Sequence, residues 1–289
     1  MALKPWAAEV AVDAGLASAL IEEQFPQLAP AQVRTLGEGW DNAVFLVNGT
    51  WVFRFPRRAV AAPLIETELR VLPRIAPALP LPVPVPELRG SPGRRFPWTF
   101  AAHRLLPGCT ADRAALTDAQ RIEAAAPLGH FIRALHALSP DGLEGDRIRR
   151  LDAQRLRREI RGRLSRAPGF VDDPVREARE EVLVHGDLHA RQLLVDGGRL
   201  CGVIDWGDAH RGDRAVDLAV AHSFLPAEGR ERFRAAYGPI DEETWKLARL
   251  RAAHVSAALF SYARDIEDLP LAAEAEGALE RIDEGDSTG

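Results

Sequence analysis

Asp187, Gln192 and Asp205 flank a short apolar hairpin, in Val184-His185-Gly186-Asp187-Leu188-His189-Ala190-Arg191-Gln192 and, after it, Val203-Ile204-Asp205-Trp206-Gly207-Asp208. Leu193-Leu194-Val195 and Cys201-Gly202-Val203-Ile204 are strand-like runs, and Asp196-Gly197-Gly198-Arg199 between them has the composition of a tight reversal. Folded antiparallel, with strands about 4.8 Å apart, the hairpin brings Gln192 nearly opposite Asp205 and leaves Asp187 a few residues outside the same end. One carboxylate and one amide carbonyl form an oxygen-only pair suited to a hard cation such as Mg²⁺, which keeps several waters and takes few protein ligands beside phosphates. Asp187 is then available to act on a substrate.

The elements that must position these groups begin with a helix expected from about Ala7 to Glu23. Strands are expected near Val33-Leu36, Ala43-Val47 and Trp51-Phe55, each set off by turn residues. Ile65 to Ile75 has helical spacing, and the Pro-rich stretch from Pro77 to Pro86 reads as an extended connector. Two more strands follow near Pro86-Arg89 and Trp98-Arg104, then a hinge at Leu105-Leu106-Pro107-Gly108. From Thr117 onward the pattern is helical, with Leu128, Ile132, Leu135 and His136 on one face, and the second half is expected to be helical except for the hairpin. This predicts an α+β chain with a small antiparallel-sheet lobe over residues 1–106 and a larger, mainly helical lobe over 107–289.

The chain has 289 residues, 46% hydrophobic and 27% charged, with a net charge of -5. That composition is globular, and the charge offers no electrostatic reason to expect a nucleic-acid partner. The start lacks a signal-peptide pattern and no apolar run reaches membrane-spanning length, so a cytoplasmic location without a membrane partner is expected. Cys109 and Cys201 have neither metal nor redox spacing. His185 and His189 beside Asp187 lack the helical H-E-x-x-H setting or closed ligand set of a zinc site. Lysine occurs only at Lys4 and Lys246 while arginine abounds, a bias across the whole chain.

The His185-Gly186-Asp187 triplet, with a ligand position five residues on at Gln192 and then Ile204-Asp205-Trp206-Gly207, resembles the aminoglycoside phosphotransferase family, and the resemblance spans nearly the whole chain. That family consists of small-molecule kinases with a protein-kinase-like fold. The resemblance implies that Asp187 is catalytic, that Gln192 and Asp205 hold Mg²⁺, and that Asp213 and Asp217 support the catalytic loop; a helix cap is an equal reading of Asp213. It also implies a phosphoryl donor, ATP or GTP, whose base meets hinge backbone from Arg104 to Leu106. Gly37, Gly39, Asp41 and Asn42 would lie over the phosphates, although a plain hairpin turn explains that stretch equally well. Arg54 stands where kinases place a phosphate-binding lysine, and Glu68 is the candidate to orient it, with Glu66 as competitor. Macrolide phosphotransferases carry a stretch similar to Trp51-Val52-Phe53-Arg54-Phe55-Pro56-Arg57-Arg58.

Two departures from the family pattern stand out. Gln192 replaces the usual Asn; it offers the same amide carbonyl on a longer stem. Arg54 replaces Lys; it is always charged and can grip phosphate bidentately. The expected activity is Mg²⁺-dependent transfer of a γ-phosphoryl group to a small-molecule hydroxyl, foremost that of an aminoglycoside-like antibiotic, for which acids from Asp265 to Asp286 would supply counter-charge. A macrolide, with an apolar groove from Phe224, Leu225, Trp245, Phe260 and Tyr262, and a metabolic alcohol are alternatives. A nucleotide-binding module without transfer is the alternative of another class.

Overall fold

The computed structural model describes residues 8–38, 41–179 and 181–284, with the side chain of Glu38 left aside. Gly39, named above for the phosphate loop, lies outside the described residues. The chain forms two compact units, one of residues 1–77, 83–106 and 205–208, the other of residues 78–82, 107–204 and 209–289.

In the first unit, helix α1 (Ala14–Gln24) starts at an Asp13 side chain that caps Leu16 N–H, not at Ala7 as the sequence suggests. Strands β1 (Val33–Glu38), β2 (Asn42–Val47) and β3 (Trp51–Pro56) are followed by helix α2 (Ala62–Ile75), then β4 (Leu88–Gly90) and β5 (Phe100–Arg104). They build one antiparallel sheet in the order β1-β2-β3-β5-β4. All six residues of β3 are buried. Alternation sends Phe53 and Phe55 to one face and Arg54 to the other. Phe53 and Phe55 join Phe25, Phe45, Phe96 and Phe100 in an aromatic core, with the Phe55 and Phe100 rings stacked at 4.5 Å. Helix α2 buries Ile65, Glu68, Val71, Leu72 and Ile75, so Glu68 is a carboxylate set into an apolar helical stripe.

The second unit contains β6 (Cys109–Thr110), α3 (Asp118–His136), α4 (Ala153–Arg163), β7 (Val182–Val184), β8 (Leu193–Asp196), β9 (Arg199–Val203) and β10 (His210–Gly212). Four helices complete it: α5 (Ala215–Phe224), α6 (Ala227–Tyr237), α7 (Glu242–Asp265) and α8 (Leu269–Glu284). A capping box of Thr117 and Gln120 starts α3. Every residue of α5 is buried, and α3, α6, α7 and α8 all pack against it. The hairpin is not the unit's sole sheet structure. Strand β6 extends it to three strands, and β7 pairs with β10. Runs of two or three residues carry too little period-2 pattern to announce themselves as strands.

The α+β class, with a small antiparallel-sheet unit and a larger, mainly helical one, matches the sequence expectation. Among the described residues, no helix is long and apolar enough to cross a membrane.

Candidate active site

In the first unit, the opposite face of β3 presents a guanidinium with two carboxylates. Arg54 is only 9% exposed. Its Nη1 donates to Glu68 Oε1, and its Nη2 donates to Asp205 Oδ1 at 2.6 Å. Glu68 also accepts from the Trp206 backbone N–H at 3.1 Å. Burial works against the charged form of Arg54, but Glu68 and Asp205 outweigh it and raise its pKa, so the cation is secured. Burial is also the leading influence on Glu68 and raises its carboxyl above the usual range, with Arg54 opposing. The three side chains together carry one net negative charge, and the Asp205 side chain is 50% exposed. Asp205 holds a left-handed backbone, φ +68°, which a non-glycine residue adopts at a cost and which concentrates at functional sites.

In the second unit, the loop from His185 to Gln192 joins β7 to β8. Asp217, fully buried in the first turn of α5, accepts from the His185 N–H at 2.8 Å and the Gly186 N–H at 3.0 Å. His136 on α3 meets the same carboxylate at 3.2 Å and the Tyr237 hydroxyl at 2.9 Å. Burial pushes Asp217 upward, yet His136, His185 and the Gly186 N–H hold it below the ordinary range. Gly186 turns at φ +94°, so the glycine between His185 and Asp187 is a backbone requirement. His185 is wholly buried, with Nε2 3.0 Å from the Ile204 carbonyl. It shapes the loop.

This scaffold leaves Asp187 with its side chain 40% exposed, 3.5 Å from His189 Nε2 and 3.9 Å from Arg251 Nη2. Desolvation would raise its carboxyl; His189, Arg251 and His185 outweigh that and hold it at about 2. It stays ionised through neutral pH, a weak base able to accept a hydrogen bond from a hydroxyl. Gln192 closes the loop in a single 3₁₀ turn, buried, and its Oε1 has no hydrogen-bond partner among the described residues. The hairpin bulges at Leu194/Val195, so Gln192 faces Ile204, whose N–H donates to the Gln192 carbonyl at 2.9 Å. Asp205 is the next residue along the chain, and without the extra residue Cys201 the register would set Gln192 opposite Val203 instead.

Other predicted positions fall as follows. Glu68, not Glu66, meets Arg54; Glu66 pairs with Arg89 at the surface. Gly37 lies in β1, where an added Cβ would meet nothing within 4 Å, so sterics do not require glycine there. Asp41 is engaged by Arg58, and Asn42 starts β2 with its Oδ1 buried and unpartnered among the described residues. Arg104 lies over the Trp51 ring and reaches Glu87, while the Leu105 N–H donates to Thr50 and Leu106 follows, half-buried. Unlike Asp217, Asp213 serves no backbone donor of the loop from His185 to Gln192 among the described residues; it binds Arg176, the Arg179 N–H and the Ala215 N–H. Phe224, Leu225, Trp245 and Tyr262 are core residues and only Phe260 of that set is half-exposed, so the five form no exposed apolar groove. Glu274 is tied to Arg121 and Arg281, and Asp268 to Arg113. Of the two neighbours of Asp187, His189 was weighed in the sequence only as a zinc ligand, and Arg251, a buried charge among Leu250, Ala252 and Ala253 of α7, went unnoticed.

Asp217→Asn replaces a carboxylate that serves two backbone donors and His136 by a neutral amide. It is expected to cost about 3 kcal/mol in urea unfolding and to lower turnover at least tenfold as the Asp187 loop loosens.

Comparison with known proteins agrees with this chemistry. Residues 32–253 match the family model described as "Phosphotransferase enzyme family". The solved GDP and kanamycin complex of APH(2")-IIia is similar with a TM-score of 0.69 and 23% identity, over 92% of this chain and 97% of that one. The apoenzyme of macrolide 2'-phosphotransferase MphH from Brachybacterium faecium gives 0.62 and 24%, over 92% and 97%. The uncharacterized protein YcbJ of Bacillus subtilis (strain 168) is 29% identical over 103 residues, 35% of this chain; the match spans only about a third of that relative, 33%. The fold is thus kinase-like, and with three quarters of its length matched by the family model, the chain belongs to the phosphotransferase enzyme family.

Proposed function

We propose that this phosphotransferase moves the γ-phosphoryl group of ATP or GTP to a hydroxyl of a small molecule, with Mg²⁺ bound to Gln192 and Asp205. The observation that carries it is Asp187, an ionised and accessible carboxylate on a loop clamped by Asp217. Phosphoryl transfer asks the protein mainly to position groups and offset charge. The acceptor hydroxyl oxygen bonds to the γ-phosphorus, the bond from that phosphorus to the bridging oxygen breaks, and nucleoside diphosphate leaves. Asp187 orients the hydroxyl and takes its proton late, as suits a weak base. Arg54, held by Glu68 and Asp205, offers the fixed positive charge that phosphates need. Gly37, Gly39, Asp41 and Asn42 cover the phosphates, and backbone from Arg104 to Leu106 takes the base. Residues 1–106 serve as the nucleotide lobe and 107–289 as the catalytic and acceptor lobe.

The donor chemistry fits Mg²⁺. A buried amide oxygen without a protein partner at Gln192 and a half-exposed carboxylate at Asp205 are hard oxygen donors. When bound, the ion offsets charge on the phosphate oxygens. A cytoplasmic location accompanies this function, since nucleoside triphosphate is drawn from there.

Aminoglycosides, macrolides and metabolic alcohols are the acceptor classes in view, and transfer to any of them uses the same groups. Against the nontransferring alternative stands the ionised Asp187, which nucleotide binding alone does not need. Asp187→Asn should lower turnover by 10²–10⁴, about the contribution of a positioned base, while nucleotide still raises the melting temperature. Unchanged turnover would end the assignment. Gln192→Ala should raise the Mg²⁺ concentration for half-maximal activity by about tenfold or more, and an unaltered Mg²⁺ titration removes Gln192 from the metal's ligands.

A further inference from the structure

A buried cation lies beside Asp187 and lacks a matching set of acceptors. Arg251 is 7% exposed. Of its five N–H donors, one is used in a hydrogen bond among the described residues, from Nη1 to His254 Nδ1 at 3.2 Å. His254 is neutral in that arrangement: its Nδ1 accepts while its Nε2 donates to Glu159 at 2.8 Å, and burial together with Arg251 holds its pKa down to about 4. Arg251 therefore gains no charge compensation from it. Asp187, at 3.9 Å, is beyond hydrogen-bond length. Asp146, the other carboxylate acting on Arg251, is paired with Arg150 at 2.7 Å, and Arg150 and Arg155 add repulsion. An incompletely compensated buried charge is unfavourable, and a bound anion would relieve it.

The cleft at this point, about 230 Å³ with its opening to solvent, is lined by Asp187 and Arg251 together with Leu188, Val216, Ala219 and Val255. Among the described residues Asp187 and Arg251 are its only charged lining residues, which leaves no further acid there for an ammonium group. In the adjoining cleft, Glu274 is occupied by Arg121 and Arg281, and Asp112 pairs with Arg113.

Building on the phosphotransferase function above, we propose that Arg251 anchors a carboxylate of the acceptor while Asp187 holds its hydroxyl, making the substrate a short hydroxy acid. The 3.9 Å between the two side chains lets one molecule touch both when two or three carbons separate its hydroxyl and carboxylate. Arg can take that carboxylate through paired N–H bonds.

The test uses the full chain with Mg²⁺ and either ATP or GTP, reading nucleoside diphosphate release with three acceptors that differ only at one end: 3-hydroxybutyrate, butane-1,3-diol and 4-aminobutan-2-ol. We expect kcat/KM for the acid to exceed the other two by at least tenfold. Arg251→Gln should erase that preference mainly through KM, and Arg251→Lys should restore part of it. Should Arg251→Gln not fold, the Lys variant still decides, since a point charge without the planar fork must weaken the acid selectively. Equal or better transfer to the diol or amine overturns the proposal, as does an acid preference unchanged in Arg251→Gln. Transfer to none of the three also overturns it, while Asp187-dependent turnover with another alcohol such as kanamycin leaves the phosphotransferase function standing. Absence of all Asp187-dependent turnover brings down both.

Discussion

A guanidinium buried in the middle of a sheet must find its counter-charges, and much of the first unit follows from that need at Arg54. Its strand is covered on one face by stacked phenylalanines, so the charge has only the other face. There it meets Glu68 from α2 and Asp205 from a segment that returns more than a hundred residues later. Removing one partner of such a cluster leaves a buried charge uncompensated, at a cost of about 3–5 kcal/mol. The cluster thus fixes how β3, α2 and the segment at Asp205 lie within that unit. It also disposes two carboxylates around one cation, leaving the excess negative charge on the half-exposed Asp205.

The second unit solves a different problem, keeping one carboxylate both ionised and accessible. Asp217 does the structural part, spending both its oxygens on the backbone of the His185–Asp187 turn and on His136. Asp187 is thereby released from any backbone duty of its own and is held ionised by His189, Arg251 and His185. Arg251 also lines the same cleft as Asp187.

The local features were legible in the sequence because local physics produces them. Gly197-Gly198, both at positive φ, turn the hairpin where the sequence places it, and Gly186 permits the turn before Asp187. The Arg54 and Glu68 pairing was legible through the family resemblance, which puts a cation at Arg54 and an acid on the following helix; the structure joins the two and leaves Glu66 to Arg89. What escaped were features set at a distance. The bulge that shifts Gln192 to Ile204 depends on one extra residue that no pattern marks. The β7 and β10 strands are three residues each and pair across 25 residues of chain. Arg251 is 64 residues from Asp187, and nothing in the apolar spacing of α7 says which residue it meets. The acidic C-terminal stretch was read by composition alone; α8 in fact buries Leu271, Ala275, Ala278 and Ile282, and spends Glu274 on arginines.

In the proposed function Arg54, held between Glu68 and Asp205, supplies in place of a lysine the charge that binds nucleotide phosphates. Arg54→Met combined with Glu68→Leu removes both buried charges together, which avoids stranding either one. Calorimetric titration of that double variant with ATP and GTP in the presence of Mg²⁺ tests the claim most directly. A Kd at least tenfold above that of the unsubstituted chain is expected, with the circular dichroism spectrum retained. A folded double variant that binds nucleotide as tightly as the original would contradict it.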